Sequence, residues 1–307
     1  MPKKEFLVIP SSGLNQRLDV FLSEKVNDLT RSRIQKIIEE ENVRVNGIAR
    51  KSSYRLRVGE RVEIEYELLE PEKIQPENIP LDVIYSDGYI AVINKLSGMV
   101  VHPGARNREH TLINALLYLF PDIKDIGPEE RPGVVHRLDK ETSGLIVVAR
   151  NLEAYRELQR QFRLRKVDKI YLGLVWGRMP GKEGKISWPI GRHRKHRERI
   201  SVKTKKPKAA ETHYTVQKEY EEFTLLKIKP ITGRTHQVRV HLAASGHPLL
   251  GDTLYGRRKS KIRCPRLFLH ASCLSFVHPE KKERVEFSSP LPQDLKKIIE
   301  KLEKGTG

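Results

Sequence analysis

The sequence predicts an α+β fold in which a small N-terminal domain precedes a larger domain, built on a mostly antiparallel β-sheet flanked by helices and loops. The chain has 307 residues, which is enough for about two domains at roughly 100–200 residues each. Residues 69–80 contain three prolines and show no periodicity, as is typical of a linker. Many short strand-like segments follow it. We therefore expect domains at residues 13–68 and 81–307.

In the first domain, helical and strand-like patterns alternate over a short length. Apolar residues recur at helical spacing between positions 14 and 26. Thr30 is a predicted N-cap for a helix at Arg31–Glu40, whose isoleucines form one apolar stripe. Residues 43–47 predict a strand that enters an Asn-Gly turn, and residues 58–66 a second strand. These elements are enough for a small compact domain.

In the larger domain, alternating or short buried apolar runs predict strands, and apolar residues three or four apart predict helices. The predicted strands are residues 83–85, 90–94, 133–136, 144–149, 170–176, 213–217, 223–228 and 267–270. The predicted helices are residues 111–119, 152–162, 235–245 and 291–302. Gly246 is expected to end the third of these helices, because glycine is common just after a helix.

The charge of the chain indicates the kind of partner. Lysine and arginine number 58 and aspartate and glutamate 39, so the formal net charge is +19. A protein this basic usually meets a polyanion, of which nucleic acid is the first candidate and an acidic membrane the second. A basic surface with no specific partner is the third reading.

Several other classes are not favoured by the sequence. The two cysteines, Cys264 and Cys273, make neither a disulfide framework nor a zinc pattern. The longest apolar run, Ala115–Phe120, is six residues, whereas a membrane span needs roughly 20. No signal peptide is visible. We expect a soluble, cytoplasmic protein that contacts no membrane.

The segment GVVHRLDKETSGLIVVAR, residues 133–150, places a polar turn between two hydrophobic strands. Rigid strands can hold the reactive side chains of such a turn, Asp139 among them, at the edge of a sheet. An aspartate in a turn is more often a turn former or a surface charge. On the residues alone, both readings stay open.

The segment from Ile231 to Gly251 places Arg234 in a turn before a predicted helix that carries His236, Arg239 and His241. Helix N-termini favour anions, so an RNA phosphate or a catalytic carboxylate could lie here. A capped basic helix at the surface would show the same pattern.

Two further segments could serve function or structure. Tyr171 lies in the strand pattern KIYLGLVWG, where a tyrosine is more often part of the core than catalytic. Residues 192–208 contain nine lysines or arginines and one acid, Glu198. Such a run is either a solvated loop or a nucleic-acid patch. The sequence shows no glycine-rich phosphate loop, no zinc spacing and no Ser-His-Asp order.

Taken together, these motifs resemble the RluA/RluD type of pseudouridine synthase. The segment His136–Asp139, followed by Thr142–Gly144, carries the most specific part of the resemblance. The other matching segments, in the order of the family, are Lys95–Gly104, Lys169–Tyr171, Thr232–Gln237, Gly246–Gly251 and Phe268–Ala271. The first domain resembles the RNA-binding module of ribosomal protein S4. One departure is that Leu96-Ser97 stands where the family usually has Pro-Ala, which predicts a more mobile loop.

The resemblance implies an isomerase that detaches uracil from its ribose, rotates it and rejoins it through carbon 5. It implies that Asp139 is the catalytic carboxylate, as nucleophile or as base. It further implies that Arg234 pairs with Asp139 and that Tyr171 stacks on the target uracil. The target would flip out of its helix, and Arg137 would fill the vacated space or hold the backbone. No cofactor or metal is expected.

For the RNA itself, the separate first module favours a structured ribosomal RNA of the large subunit over tRNA. We expect the protein to be a monomer. Arg31, Arg33 and Lys36 lie on the polar side of the first domain's helix and are candidate phosphate contacts. One alternative is a related synthase that acts on small-subunit RNA or tRNA. The alternative from another class is a non-catalytic RNA-binding factor in ribosome assembly, which would show the same charge and the same first domain.

Overall fold

The computed structural model describes residues 2–67, 74–104, 107–196, 198–256 and 262–304. Within it the chain forms two compact units, Met1–Glu72 and Lys73–Gly307. The predicted linker begins in residues 68–73, which lie outside the described residues. From Ile74 onward the chain is part of the second unit. Ile74 packs against its core, and the Glu77 amide donates to the carbonyl of Asn114. The exact domain boundaries stay a prediction.

The first unit is a four-stranded antiparallel sheet with two helices. Its elements are β1 (Lys3–Val8), α1 (Leu18–Lys25), α2 (Arg31–Glu39), β2 (Val43–Val45), β3 (Ile48–Ala49) and β4 (Arg61–Tyr66). The strands are ordered β1-β4-β2-β3. Strand β1 precedes the predicted start of the domain and was not foreseen. It pairs along the whole length of β4, with Lys3 opposite Tyr66 and Val8 opposite Arg61.

The local signals of the first unit act as the sequence predicts. The Thr30 side chain accepts a hydrogen bond from the Arg33 amide and so caps α2, which is confirmed to within one residue of its expected end. The apolar stripe of α2 is buried in the core of the unit. Asn46 and Gly47 both have positive φ angles, 50° and 80°. That combination is the one a type I′ hairpin turn requires.

The second unit is built on one large, mostly antiparallel sheet. Its strands are β5 (Asp82–Ser86), β6 (Ile90–Lys95), β7 (Ser143–Ala149), β8 (Asp168–Trp176), β9 (Glu183–Ile186), β12 (Thr212–Glu219), β13 (Phe223–Pro230), β14 (Leu269–Val277) and β15 (Arg284–Ser288), and a separate hairpin consists of β10 (Gly191–Arg192) and β11 (Ile200–Ser201). The strands are ordered β5-β6-β7-β14-β8-β13-β12-β9, with β15 on β14. Only β7 and β14 pair in parallel among the described strands. The predicted α+β class is confirmed.

Four helices accompany this sheet in the described residues: α3 (Leu112–Leu119), α4 (Leu152–Arg163), α5 (Gln237–Ala244) and α6 (Gln293–Glu303). Thr111 caps α3 through a reciprocal pair of hydrogen bonds with Asn114. The predicted helices are all present, with ends shifted by one or two residues. Throughout the described ranges, every helix is too short or too polar to cross a bilayer.

The predicted strand at residues 133–136 is wrong. Of these residues, Val134 alone makes a β-bridge, to Val148. Gly133 has a positive φ of 69°, which turns the chain away from an extended path. The imidazole of His136 then accepts the amide of Val147, so a side chain takes the place of a backbone ladder bond.

The register of four neighbouring strands brings the functional segments together. Gly144 on β7 pairs with Ala271 on β14, which pairs with Tyr171 on β8, which pairs with Ile228 on β13. Gly144 has a φ of 113°, and a Cβ there would meet the backbone of Ala271 at 2.2 Å, so only glycine fits. The loop before β7 and the loop after β13 therefore reach the same edge of the sheet.

Candidate active site

A cleft of about 470 Å³ lies at this edge of the sheet. The loop before β7, the start of β8 and the segment from the end of β13 into α5 line it. This size and position suit a small-molecule or nucleotide unit held by a few polar groups. Its polar and charged lining includes Arg137, Asp139, Lys169, Arg234, His236 and Arg239.

Asp139 lies in the loop that precedes β7, with its side chain 16% exposed to the cleft. One carboxylate oxygen is 3.6 Å from an Nη atom of Arg239, which is the ion pair that Asp139 makes among the described residues. A contact this long is a charge interaction without a strong hydrogen bond. Asp139 therefore keeps oxygen lone pairs free for chemistry.

Arg239 is held firmly by a second carboxylate, Asp252. Its Nε and Nη atoms donate to the two oxygens of Asp252 at 2.8 and 2.9 Å, a bidentate geometry. Asp252 also accepts the amides of Leu254 and Tyr255. Burial alone would lower the pKa of Arg239, but the hydrogen bonds with Asp252 and the charges of both carboxylates raise it above its ordinary value. The arginine is therefore a fixed, permanent positive charge beside Asp139.

The predicted pair between Arg234 and Asp139 is wrong, because Arg239 is the partner. Arg234 is exposed, and its Nε donates to the carbonyl of Ala209. Its exposed side chain lines this cleft and also a second groove beside it, so Arg234 lies on the rim between the two. The reason is the start of α5. His236 has a φ of 53° and precedes the helix, which places Arg239 on the buried face and leaves Arg234 before the turn.

Tyr171 lines the cleft from β8, and its stacking on a uracil, which the resemblance implies, stays a prediction. Burial and the negative charge of Asp139 raise the pKa of its phenol well above the usual range. Tyr171 therefore stays neutral at physiological pH. A flat, neutral ring beside the carboxylate is a suitable surface for a planar base.

Lys95 and Ser97 tie the loop that contains Leu96-Ser97 to the loop of Asp139. The Lys95 ammonium donates to the carbonyls of Leu96, Met99 and Lys140. Ser97 Oγ donates to the carbonyl of Glu141 at 2.7 Å. Burial lowers the pKa of Lys95 to about 7, although nearby carboxylates oppose that shift. The expected mobility of this loop stays a prediction, but these bonds constrain it.

The floor of the cleft beside Asp139 is aromatic. His136 stacks on Phe162 with ring centroids 4.6 Å apart, and Lys169 lies 5.9 Å from the same Phe162 ring. Burial, with a smaller effect from Lys169, lowers the pKa of His136 to about 3. His136 is therefore a neutral structural ring, held by the amide of Val147.

Basic side chains surround the mouth of the cleft. Arg137 is exposed and lies 3.3 Å from the imidazole Nε2 of His102. A second groove, of about 900 Å³, runs along the β10–β11 hairpin and reaches Arg234. The cations that line this groove are Arg192, Arg194, Lys205, Lys206, Lys208 and Arg234. The nucleic-acid role of residues 192–208 stays a prediction.

In the first unit, the three candidate phosphate contacts differ in what they do. Arg31 is used inside the unit, where its guanidinium donates twice to the buried Asp19. Lys36 is exposed and lies 3.7 Å from Glu40. Arg33 forms no ion pair within the described residues. Arg33 and Lys36 are available to a phosphate, and their RNA-binding role stays a prediction.

One group of residues has the composition of a metal site. Ligand atoms of Asp87, His278 and Glu280 lie within 4.8 Å of one another. However, His278 Nε2 donates to Asp87, and its Nδ1 accepts the amides of Glu280 and Lys281. Both nitrogens are therefore used. These residues do not line the cleft, and their arrangement serves to fix the turn after β14.

Sequence reasoning missed Asp252 and the role of Arg239. A signal for Arg239 was present, because it lies between Val238 and Val240 in a helix where all three are buried. A buried arginine requires a buried acid. Which acid that is could not be read from the spacing along the chain.

Comparisons with known proteins indicate the family of the chain. The family model for RNA pseudouridylate synthase matches residues 89–244, and the S4 domain model matches residues 16–62. A relative from Aquifex aeolicus, named as an uncharacterized RNA pseudouridine synthase, is 46% identical over 99% of both chains. The ribosomal large subunit pseudouridine synthase D of Vibrio parahaemolyticus is 40% identical over 97% of this chain and 94% of its own length.

A solved structure is similar as well. The human RNA pseudouridylate synthase domain containing 1 has a TM-score of 0.57 and 29% identity, covering 76% of this chain and 98% of that one. The fold and the matches define an isomerase that acts on RNA, with an RNA-binding S4 domain as its first unit. The chain belongs to the RNA pseudouridylate synthase family.

Proposed function

We propose that this enzyme converts specific uridines of large-subunit ribosomal RNA to pseudouridine, with Asp139 as its catalytic carboxylate. The observation that carries the proposal is Asp139 itself, a carboxylate at the edge of the cleft beside a fixed arginine. The choice of RNA is supported by relatives from Vibrio parahaemolyticus and Haemophilus ducreyi, both named ribosomal large subunit pseudouridine synthase D. An S4 domain suits a large structured RNA.

Asp139 has the two properties that a nucleophile or base needs. The fixed positive charge of Arg239 lies beside it, and at about 4 Å in an effective dielectric of about 20 such a pair is worth about 4 kcal/mol before desolvation. Asp252 accepts from the Nε and one Nη of Arg239, whereas Asp139 has only the longer contact with the other Nη and stays accessible. An ionised, accessible carboxylate suits either attack on the ribose or removal of a proton.

The target uridine would flip out of its helix to reach Asp139, since the cleft lies below the surface of the sheet edge. Tyr171 would then stack on the uracil. Arg137, exposed at the mouth, would occupy the space the base leaves or hold the phosphate backbone. Arg234 and the basic groove along the hairpin would track the flanking strand.

The S4 domain would contribute affinity, and the second unit the chemistry, because every residue of the cleft lies in the second unit. We further propose that the enzyme works in the cytoplasm, where ribosomal RNA is modified, and that it acts as a monomer. The charge of +19 agrees with an RNA partner.

The test is to map pseudouridines in total RNA from cells with and without the protein, and then with its Asp139→Asn variant. The amide has nearly the shape of the carboxylate but is not nucleophilic, so we expect the activity to fall by at least about 10⁴-fold while RNA binding is retained. Glu141→Gln removes a carboxylate from the same loop and serves as the control.

Four outcomes separate the alternatives. Loss of sites in ribosomal RNA supports the proposal, and loss of sites in tRNA alone would correct the substrate. Normal turnover by Asp139→Asn would remove Asp139 from its role. If neither deletion nor Asp139→Asn changes any site, while ribosome assembly fails without the protein, the chain is a non-catalytic assembly factor.

A further inference from the structure

His236 differs from the other cleft residues because its imidazole is held on one side and open on the other. It precedes α5 with a left-handed backbone, φ 53° and ψ 17°, and it lines the cleft with Asp139. Its Nδ1 lies 2.8 Å from the hydroxyl oxygen of Tyr255. Its Nε2 makes no hydrogen bond in the part of the chain that the structure describes. The open nitrogen is therefore available to a bound group.

The hydrogen bonds of Tyr255 fix which nitrogen of His236 carries the proton. The amide of Ile200 in β11 donates to the Tyr255 oxygen at 2.8 Å. If Nδ1 also donated to that oxygen, the hydroxyl hydrogen would have no acceptor within the described residues. The consistent arrangement is that Tyr255 donates to Nδ1, which leaves the proton of the neutral ring on Nε2.

The surroundings keep the ring of His236 neutral. Burial is the main cause that lowers the pKa of His236, and Arg239 and Arg137 act in the same direction. The carboxylates of Asp139 and Asp252 oppose them without reversing the shift. The ring therefore presents an uncharged N–H donor to the cleft, beside the carboxylate that would carry the chemistry.

A neutral donor suits a particular acceptor. Phosphates meet the arginines and lysines at the mouth, whereas an uncharged N–H deep in the cleft suits a carbonyl oxygen of the base. When the bond between ribose C1′ and uracil N1 breaks, its electron pair moves onto the uracil and spreads over the two carbonyl oxygens. A preorganised donor to such an oxygen is more valuable as that charge develops.

We propose that His236 is a catalytic residue whose Nε2–H donates to a carbonyl oxygen of the target uracil, and that Tyr255 is the positioning residue that fixes its tautomer. This inference rests on the proposed function, since it needs the uracil in the cleft. No proton leaves His236. The hydrogen bond holds the detached uracil anion while it turns and its C5 forms the new bond to C1′. The C5 proton then passes to a base, for which the Asp139 carboxylate is available, and N1 takes up a proton from water, so that the net change is an isomerisation.

Two amide variants separate the donor from the fold. In His236→Gln, the side-chain nitrogen reaches the place of imidazole Nε2, whereas in His236→Asn it reaches only the place of Nδ1. The left-handed backbone at this position favours asparagine over glutamine. A purely structural role therefore predicts that Asn is the better replacement, and a donor role predicts that Gln is.

Single-turnover rates with a ribosomal RNA fragment, together with RNA binding, provide the measurement. We expect His236→Asn to lose about 10²-fold in rate, the effect of removing one such donor. We expect His236→Gln to retain most of the rate, and both to bind RNA as the unmodified enzyme does. Equal rates for the two variants, or a faster Asn variant, would overturn the proposal.

The tautomer is tested without any substrate. Nitrogen-15 NMR of the full-length enzyme, labelled at histidine, should show His236 protonated at Nε2 and bare at Nδ1. Tyr255→Phe keeps the ring and should produce a mixture of tautomers. A proton on Nδ1 in the unmodified enzyme overturns the inference about His236 alone. Unchanged pseudouridines in RNA from cells that lack the protein would instead overturn the proposed function, and the NMR result would stand.

Discussion

Two aspartates, one in each unit, meet arginines in opposite ways. Asp19 in the S4 domain is fully buried and accepts hydrogen bonds from Arg17, Arg31 and Gln35. Burial would raise the pKa of Asp19, but these bonds lower it far below its usual range. Asp139 has one long contact of 3.6 Å and opens on the cleft.

The difference shows how a fold separates structural from reactive charge. Both carboxylate oxygens of Asp19 accept charged hydrogen bonds, and its side chain is fully buried, so its charge serves stability. In the second unit, Asp252 has the structural role, because it holds Arg239 through two hydrogen bonds. Asp139 lies near the positive charge of that arginine but accepts no short hydrogen bond from it. A carboxylate that lacks strong partners is the one able to react.

The largest effect is expected where the second network is broken at its arginine. Arg239→Ala leaves the buried Asp252 without its partner and should destabilise the second unit by about 3–5 kcal/mol. It should also abolish activity, because Asp139 loses its nearby charge. Arg234→Ala, on the rim, should fold normally and lose RNA affinity with little change in the saturated rate. Urea unfolding and single-turnover rates of both variants measure this. A severe rate loss in Arg234→Ala at saturating RNA would restore the role first expected for Arg234.

The corresponding change in the S4 domain should affect stability alone. Asp19→Ala removes several charged hydrogen bonds at a buried site, for a loss of about 3 kcal/mol in the first unit. Its arginines are partly exposed and can turn to water, which limits the loss. The full-length variant should modify a short stem-loop at the normal saturated rate, as followed by pseudouridine formation. A reduced saturated rate in a folded variant would show that Asp19 also supports the chemistry.

Acid should weaken the second unit through His270, which lies next to the loop of Asp139. Ser143 Oγ donates to His270 Nδ1, and His270 Nε2 donates to the carbonyl of Ser289. Burial is the main cause that lowers the pKa of His270 to about 4. In the unfolded chain this histidine binds a proton near its ordinary pKa of about 6.5, whereas in the folded chain it stays neutral down to about pH 4. The free energy of unfolding therefore falls as the pH drops from about 6.5 to about 4.

For His270 this loss should reach about 2–3 kcal/mol at pH 4.5. Unfolding free energies at pH 7 and pH 4.5 measure it. His270→Gln should make the difference between the two values smaller by that amount. His213→Gln, at a half-exposed position, is the control. An unchanged pH dependence in His270→Gln would mean that another group causes the acid sensitivity.

The smallest effect concerns two cations of α2, the half-buried Arg33 and the exposed Lys36. Replacing both Arg33 and Lys36 by alanine should reduce the slope of log affinity against log salt by about 1.4–1.8, at about 0.7–0.9 for each phosphate that the helix no longer neutralises. The saturated rate should not change. A double variant with the same change of charge at Lys25 and Lys51 is the control, and binding of a structured RNA at several salt concentrations is the measurement. Equal slopes for the two variants would argue against α2 as the RNA-facing helix.

The sequence by itself determined the elements that depend on near neighbours. Thr30 and Thr111 cap their helices, and the Asn46-Gly47 turn closes its hairpin, because each of these signals acts within a few residues. The resemblance of the motif around Asp139 was equally local, and it indicated the family. The strand expected at residues 133–136 failed because a side chain of His136, not its backbone, supplies the pairing group.

The tertiary structure decided which charges meet. Arg234 and Arg239 are five residues apart in one segment, and nothing in their spacing tells which one reaches Asp139. The choice depends on where α5 begins, since the left-handed turn at His236 puts Arg239 on the buried face. The choice also depends on Asp252, which lies 13 residues further along the chain and forms an ion pair with Arg239 once the chain has folded. Partners distant in sequence are set by packing and by the need to satisfy buried charge, and those are properties of the whole fold.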